Sequence, residues 1–163
     1  LAKVPHVQGR VEVVPTPGKD YTILIDYAHT PDSMVNVLQT VKEFAKGRTV
    51  AVFGCGGDRD KTKRPRMGKA AADWSDFAVV TTDNPRTEEP AAIIRDILPG
   101  FDGSNTPYEV VEDRVEAIRW AMDHAQKDDV IVLCGKGHET YQEVCGEKRH
   151  MDERELVAAY TNG

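Results

Sequence analysis

What most constrains this chain is an alternation. Four apolar runs, YTILIDYA from Tyr21, TVAVFG from Thr49, FAVVTT from Phe77 and DVIVLC from Asp129, each lead straight into a polar loop. Helix-forming segments lie between them. After the first run, Thr30 is placed to cap a helix that Pro31 opens. Met34, Val35, Val37, Leu38, Val41 and Phe44 then recur at helical spacing on one broad face, and Gly47 is placed to stop the helix. Further helices are expected over Pro65 to Trp74, over Pro90 to Leu98, and over Asp113 to Ala125 with Asp113 as its cap. Short strands are expected in GRVEVV from Gly9 and YEVV from Tyr108, and a loop in PGFDGSN. The tail reads as a hairpin turning at Cys145-Gly146, then a helix from Asp152.

Strands that alternate with helices build βαβ units around a mostly parallel sheet. Continuous apolar runs suit strands covered on both faces. With right-handed crossovers the result is an α/β fold: a Rossmann-like open, mostly parallel sheet of about six strands flanked by helices, with residues 1–163 forming a single domain. Ligands of such sheets bind beyond the carboxyl ends of the strands. The loops IDYAHTPD, GCGGDRDKTKRP, TDNPRTEEP and CGKGHE all follow strands, so a parallel sheet opens all four on the same edge.

Charge and composition narrow the partners. A net charge of −6 argues against a nucleic-acid or anionic-membrane surface. No apolar run approaches the roughly 20 residues needed to span a bilayer. The start, LAKVPHVQGR, has no signal-peptide pattern and no initiator Met, which reads as a piece of a longer chain. Cys55, Cys134 and Cys145 are odd in number and lack CxxC spacing, so a reducing cytoplasm is expected rather than a disulfide framework or a zinc site. Cys55 has two readings: a thiol whose pKa is lowered by nearby arginines, or a small residue that fits a crowded loop.

The loops carry the chemistry. GCGGDRD fails the dinucleotide fingerprint because Arg59 stands where its last glycine belongs. It reads as a glycine bend that lets backbone approach a ligand, with Arg59 aimed at a carboxylate or phosphate, or else as a flexible surface loop. GKGH is no phosphate-binding loop of the Walker type, since Val130 occupies the position of the first glycine. In DYAHTPD, Asp26 is suited to a ribose and Tyr27 and His29 to a flat base; the plainer reading has Asp26 closing a turn and His29 packing. DNPR and GKGHE complement each other. Arg86 suits a carboxylate bidentately, Asp83 and Glu139 suit an ammonium, and Asn84 suits either. Pro85 fixes its own φ and so helps present Arg86. The plainer reading is a turn closed by an internal Asp83–Arg86 pair. No nucleophile elbow, catalytic triad, general base or metal-ligand set stands out.

Five motifs in order, GRxExV from Gly9, DYAHTPDSM from Asp26, VFGCGGDRDKTKRPRMG from Val52, TTDNPRTEEP from Thr81 and CGKGHETYQ from Cys134, resemble the carboxyl-terminal domain of the Mur ligases over nearly the whole chain. The resemblance implies ATP-dependent acid–amino-acid ligation in peptidoglycan synthesis, through an acyl phosphate. The amino-terminal UDP-sugar domain and central ATPase domain of the family are absent from these residues, so ATP with Mg2+ and the UDP-MurNAc-dipeptide would be held mainly elsewhere, and the isolated domain is expected to be inactive. It further implies that Arg59, Asp83, Asn84, Pro85, Arg86, Gly135 and Glu139 bind the incoming amino acid, and that Arg10, Asp26, Tyr27 and His29 contact the nucleotide. DNPR marks the family members that add meso-diaminopimelate. The alternatives are a lysine-adding, other Mur or folylpolyglutamate-type ligase domain, separated from the first by DNPR, and a non-catalytic amino-acid-binding module.

Overall fold

The apolar runs become the strands of one sheet. The computed structural model describes residues 11–162. The elements are β1 (Glu12–Val14), β2 (Thr22–Asp26), α1 (Pro31–Phe44), β3 (Thr49–Phe53), α2 (Lys63–Trp74), β4 (Phe77–Val80), α3 (Pro90–Ile97), β5 (Tyr108–Val110), α4 (Arg114–Asp123), β6 (Val130–Cys134), β7 (Tyr141–Val144), β8 (Glu147–His150) and α5 (Glu153–Asn162). Strand order is β1-β2-β6-β3-β4-β5. Only the edge strand β1 pairs antiparallel; β2, β6, β3, β4 and β5 are mutually parallel. β7 and β8 form a separate hairpin.

The side-chain period of two divides each strand between two cores. Leu24, Ala51, Phe53, Ala78, Val80 and Val132 face Met34, Leu38, Met67, Ala71, Ile93 and Ile97 of α1, α2 and α3. Ile23, Ile25, Val50, Val52, Val79, Ile131 and Leu133 face Ala117, Ile118 and Met122 of α4 and Val157 of α5. Helices therefore cover both faces, and every residue of β3 and β6 is buried. That is why these strands read as unbroken apolar runs.

Three local expectations change. α1 is capped at its start by Thr30 in a reciprocal bond with Ser33, but it ends at Ala45 in extended backbone, two residues before Gly47. Gly47 is required for another reason: a Cβ there would meet the Asp128 carbonyl carbon at 2.6 Å. α2 begins at Lys63, so Pro65 lies inside its first turn, where a missing N–H costs no helical bond. A 3-10 turn, Leu98–Phe101, takes up the start of PGFDGSN and buries Phe101. Arg10 and Gly9 lie outside the described residues.

Candidate functional site

All four expected loops meet at the carboxyl edge of the parallel strands. They line a cleft of about 360 Å³ with Tyr27, His29 and Thr30 after β2, Gly54, Cys55, Gly56, Arg59 and Lys63 after β3, Asp83, Asn84 and Arg86 after β4, and Gly135 and Glu139 after β6. The parallel sheet is the physical cause, because it brings every strand's carboxyl end to one side.

The glycines of GCGG bring backbone close to their own chain, while Gly54 and Gly56 also line the cleft. A Cβ on Gly54 would collide with the Thr81 carbonyl, and one on Gly57 with the Pro85 carbonyl. The Gly57 N–H donates to the Asn84 carbonyl at 2.8 Å. The loop is thus pressed against DNPR. Cys55, buried inside it, has its thiol pKa pushed up to about 12 by desolvation. The lowered-pKa reading of Cys55 is overturned: burial outweighs the nearby cations.

DNPR is neither a turn closed by its own ion pair nor an open clamp. Asp83 accepts from Lys136, not from Arg86. Arg86 donates through Nε to Glu143 Oε1 at 2.7 Å and through Nη1 to the Gly57 carbonyl at 3.0 Å. Its backbone is left-handed, φ 52°. The hairpin holds it there: the Arg86 N–H donates to the Glu143 carbonyl, and the Cys145 N–H donates to the Arg86 carbonyl. Nη2 has no protein partner among the described residues, which leaves the Nη1–Nη2 edge able to take a carboxylate.

Asn84 is more constrained than its composition suggests. Its Oδ1 accepts from Lys136 Nζ at 2.7 Å and from the Glu143 N–H at 2.9 Å. Its Nδ2 donates to Glu139 Oε1 at 3.3 Å and retains one further proton. Asn84 therefore faces a ligand as a donor. Pro85 does not line the cleft; its carbonyl accepts from the Glu88 N–H. Gly135 does line it, at φ 111°, a conformation that other residues resist.

Asp26 is buried, and its Oδ2 accepts from the Ala28 N–H at 2.7 Å. It shapes the turn that presents Tyr27 and His29 and is not itself in the cleft lining. Those two rings lie 4.7 Å apart and tilted. His29 Nδ1 lies 2.9 Å from the Tyr27 carbonyl. A carbonyl only accepts, so Nδ1 carries the proton and Nε2 of the neutral ring is an acceptor.

Two buried arginines, neither singled out from sequence, brace the loops. Arg64 donates to Glu88 at 2.8 Å, to Asp96 at 2.9 Å and to the Gly56 carbonyl at 3.2 Å, so α2, α3 and both arms of the cleft share one guanidinium. The Arg64 bond, with a second bond from the Asp58 N–H, lowers the Glu88 pKa to about 2. On the α4/α5 side, Arg114 donates to Glu153 at 2.8 Å, to the Cys134 carbonyl at 2.9 Å and to the Thr82 carbonyl at 3.4 Å. Those carbonyls immediately precede Gly135 and Asp83. Lys136 and Glu143 were also missed as site residues. The spacing of Lys136 and Glu139, three apart, was the one legible signal, because their contact is local; the Glu143 contact crosses 57 residues.

Comparison with known proteins gives the chain a family. Residues 9–137 match the family described as Mur ligase, glutamate ligase domain. The UDP-N-acetylmuramoyl-L-alanyl-D-glutamate–2,6-diaminopimelate ligase of Caldanaerobacter subterraneus subsp. tengcongensis is 54% identical over 151 residues, 93% of this chain and 31% of that protein. The protein of the same name from Bacillus cereus is 51% identical over 163 residues, 100% of this chain and 32% of that protein. A solved structure of a ligase of this name superposes with a TM-score of 0.87 at 40% identity, over 96% of this chain and 32% of the other. The chain thus spans about a third of the length of the curated relatives it matches. Among the described residues no helix is long and apolar enough to cross a membrane.

Proposed function

Since this chain belongs to the Mur ligase family, of which it carries the glutamate ligase domain, we propose that it selects the amino acid in a ligase that adds meso-diaminopimelate to UDP-MurNAc-L-Ala-D-Glu during peptidoglycan synthesis. The observation that carries this reading is the open edge of Arg86, set in one cleft with Asn84, Asp83, Glu139 and Gly135. Diaminopimelate differs from lysine by one distal carboxylate. Arg86 and the free Asn84 proton are donors for that carboxylate, and Arg59, whose Nη1 donates to the Asp58 carbonyl, adds a further cationic donor on the same cleft. The outer oxygens of Asp83 and Glu139 and the Gly135 carbonyl are acceptors for an ammonium.

ATP with Mg2+, held mainly by the part of the longer protein that this chain lacks, would supply the acyl phosphate that the amine then converts to an amide and phosphate. Tyr27 and His29 offer π-faces to its base at the cleft rim, and Arg10 a charge to its phosphates. What the described residues contribute is positioning and charge neutralisation. The test is Arg86→Ala in the full-length enzyme. Without Arg86 the cleft loses the donor edge that the distal carboxylate uses and lysine does not, so the preference for diaminopimelate over lysine is expected to fall by about 1–3 kcal/mol, roughly tenfold to a hundredfold or more. An unchanged preference in the folded variant would remove Arg86 from the specificity site.

A further inference from the structure

Lys136 is fully buried behind the cleft lining, against Asp83, Asn84 and Glu139, and has no task in amino-acid binding so far. It follows Gly135 at the end of β6. Its ammonium lies 2.7 Å from Asn84 Oδ1, 3.3 Å from Asp83 Oδ1 and 3.3 Å from Glu139 Oε1. The Tyr141 ring lies 5.9 Å away and closes another side. The two carboxylates best placed for a substrate's ammonium therefore already share a cation that belongs to the protein.

We infer that Lys136 is a specificity-determining residue, an internal ammonium that makes the cleft choose its amino acid by the distal carboxylate and not by the distal ammonium. The inference rests on the diaminopimelate reading and deepens it. Asp83 and Glu139 carry two negative charges between them, and Lys136 offsets one before any ligand arrives. Their pull on a second ammonium is weakened to match. The same cation also saturates the Asn84 oxygen together with the Glu143 N–H, so that Asn84 offers the ligand only a donor. Every consequence favours a ligand carboxylate. Lysine and diaminopimelate differ by that one group, so the Lys136 charge acts on their difference wherever the common atoms sit. Across roughly 7 Å at an effective dielectric constant of about 20 to 80, one unit charge acting on another changes a binding ratio by about threefold to fiftyfold.

The experiment uses the full-length ligase and three amino acids: diaminopimelate, lysine, and 2-aminopimelate, which keeps the distal carboxylate and lacks the distal amine. The wild-type enzyme is expected to use 2-aminopimelate within about tenfold of diaminopimelate, and lysine at least tenfold less well than 2-aminopimelate. Lys136→Gln removes the charge and keeps hydrogen-bonding capacity. It is expected to lower the kcat/KM ratio of diaminopimelate to lysine at least threefold, and Lys136→Arg is expected to retain more of the ratio than Lys136→Gln. A purely structural lysine would reduce kcat/KM for all three amino acids together and leave their ratios unchanged; that result overturns the inference. So does a wild-type enzyme that selects diaminopimelate but handles 2-aminopimelate as poorly as lysine, an outcome that needs no variant to fold. A wild-type enzyme with no preference for diaminopimelate over lysine would instead refute the underlying functional reading.

Discussion

Arg86 shows how much of the site is decided one residue at a time. A left-handed backbone costs an ordinary residue about 1–2 kcal/mol. Two backbone hydrogen bonds to the β7–β8 hairpin, at Glu143 and Cys145, and a 2.7 Å ion pair to Glu143 hold Arg86 there. Pro85 restricts only its own φ, so the presentation of Arg86 depends on the hairpin more than on the proline. The cysteines illustrate the opposite force. Cys55 and Cys134 are buried, and desolvation raises both thiol pKa values, that of Cys55 to about 12. Cys145 is exposed at the hairpin tip. One thiol per chain is therefore expected to react with a maleimide under native conditions, and three after denaturation. Mass spectrometry of the labelled protein checks this, and native labelling of Cys55 would contradict the packing of the glycine loop.

At the scale of elements, the helices and strands follow from local chemistry, while the joins between them do not. Thr30 and Asp113 cap α1 and α4 as their sequences announce. The β7–β8 hairpin turns at Cys145 (φ 50°) and Gly146 (φ 81°), the positive pair that a I′ turn requires. Cysteine is a poor occupant of the first position, and asparagine tolerates it well. Cys145→Asn is expected to stabilise the chain by a few tenths to about 1 kcal/mol, read as a higher Tm in a thermal melt. A lower Tm would mean that the Cys145 side chain makes a contribution the turn geometry does not explain. Docking of the same hairpin onto DNPR, through the bridge of Arg86 to Val144, was not legible, since β-strand alternation carries no signal for a partner 58 residues away.

For the whole molecule, long-range charge pairs hold the cleft in register. Arg64 joins α2 to Glu88 and Asp96, Arg86 joins DNPR to β7, Lys136 joins β6 to Asp83, and Arg114 joins α4 to Glu153 of α5. Glu88 makes the acid sensitivity explicit. Its pKa is about 2 in the folded chain against an ordinary 4.5, so its contribution is complete above pH 4.5 and lost as pH falls from there towards 2. Urea titrations between pH 7 and pH 2.5 are expected to show a shallower acid loss in Glu88→Gln than in the wild type; equal losses would remove Glu88 from the network. The sequence by itself determined the sheet, its helical layers and the four loops on one edge, because hydrophobic period and capping chemistry act within a few residues. It also marked Arg59, Asp83, Asn84, Arg86, Gly135 and Glu139, which do converge. Only the tertiary structure decided who pairs with whom: Asp83 with Lys136, Arg86 with Glu143, the glycine loop with DNPR. Those contacts join residues 27 to 57 positions apart, and a charge reads its partner through space, where sequence order has no influence.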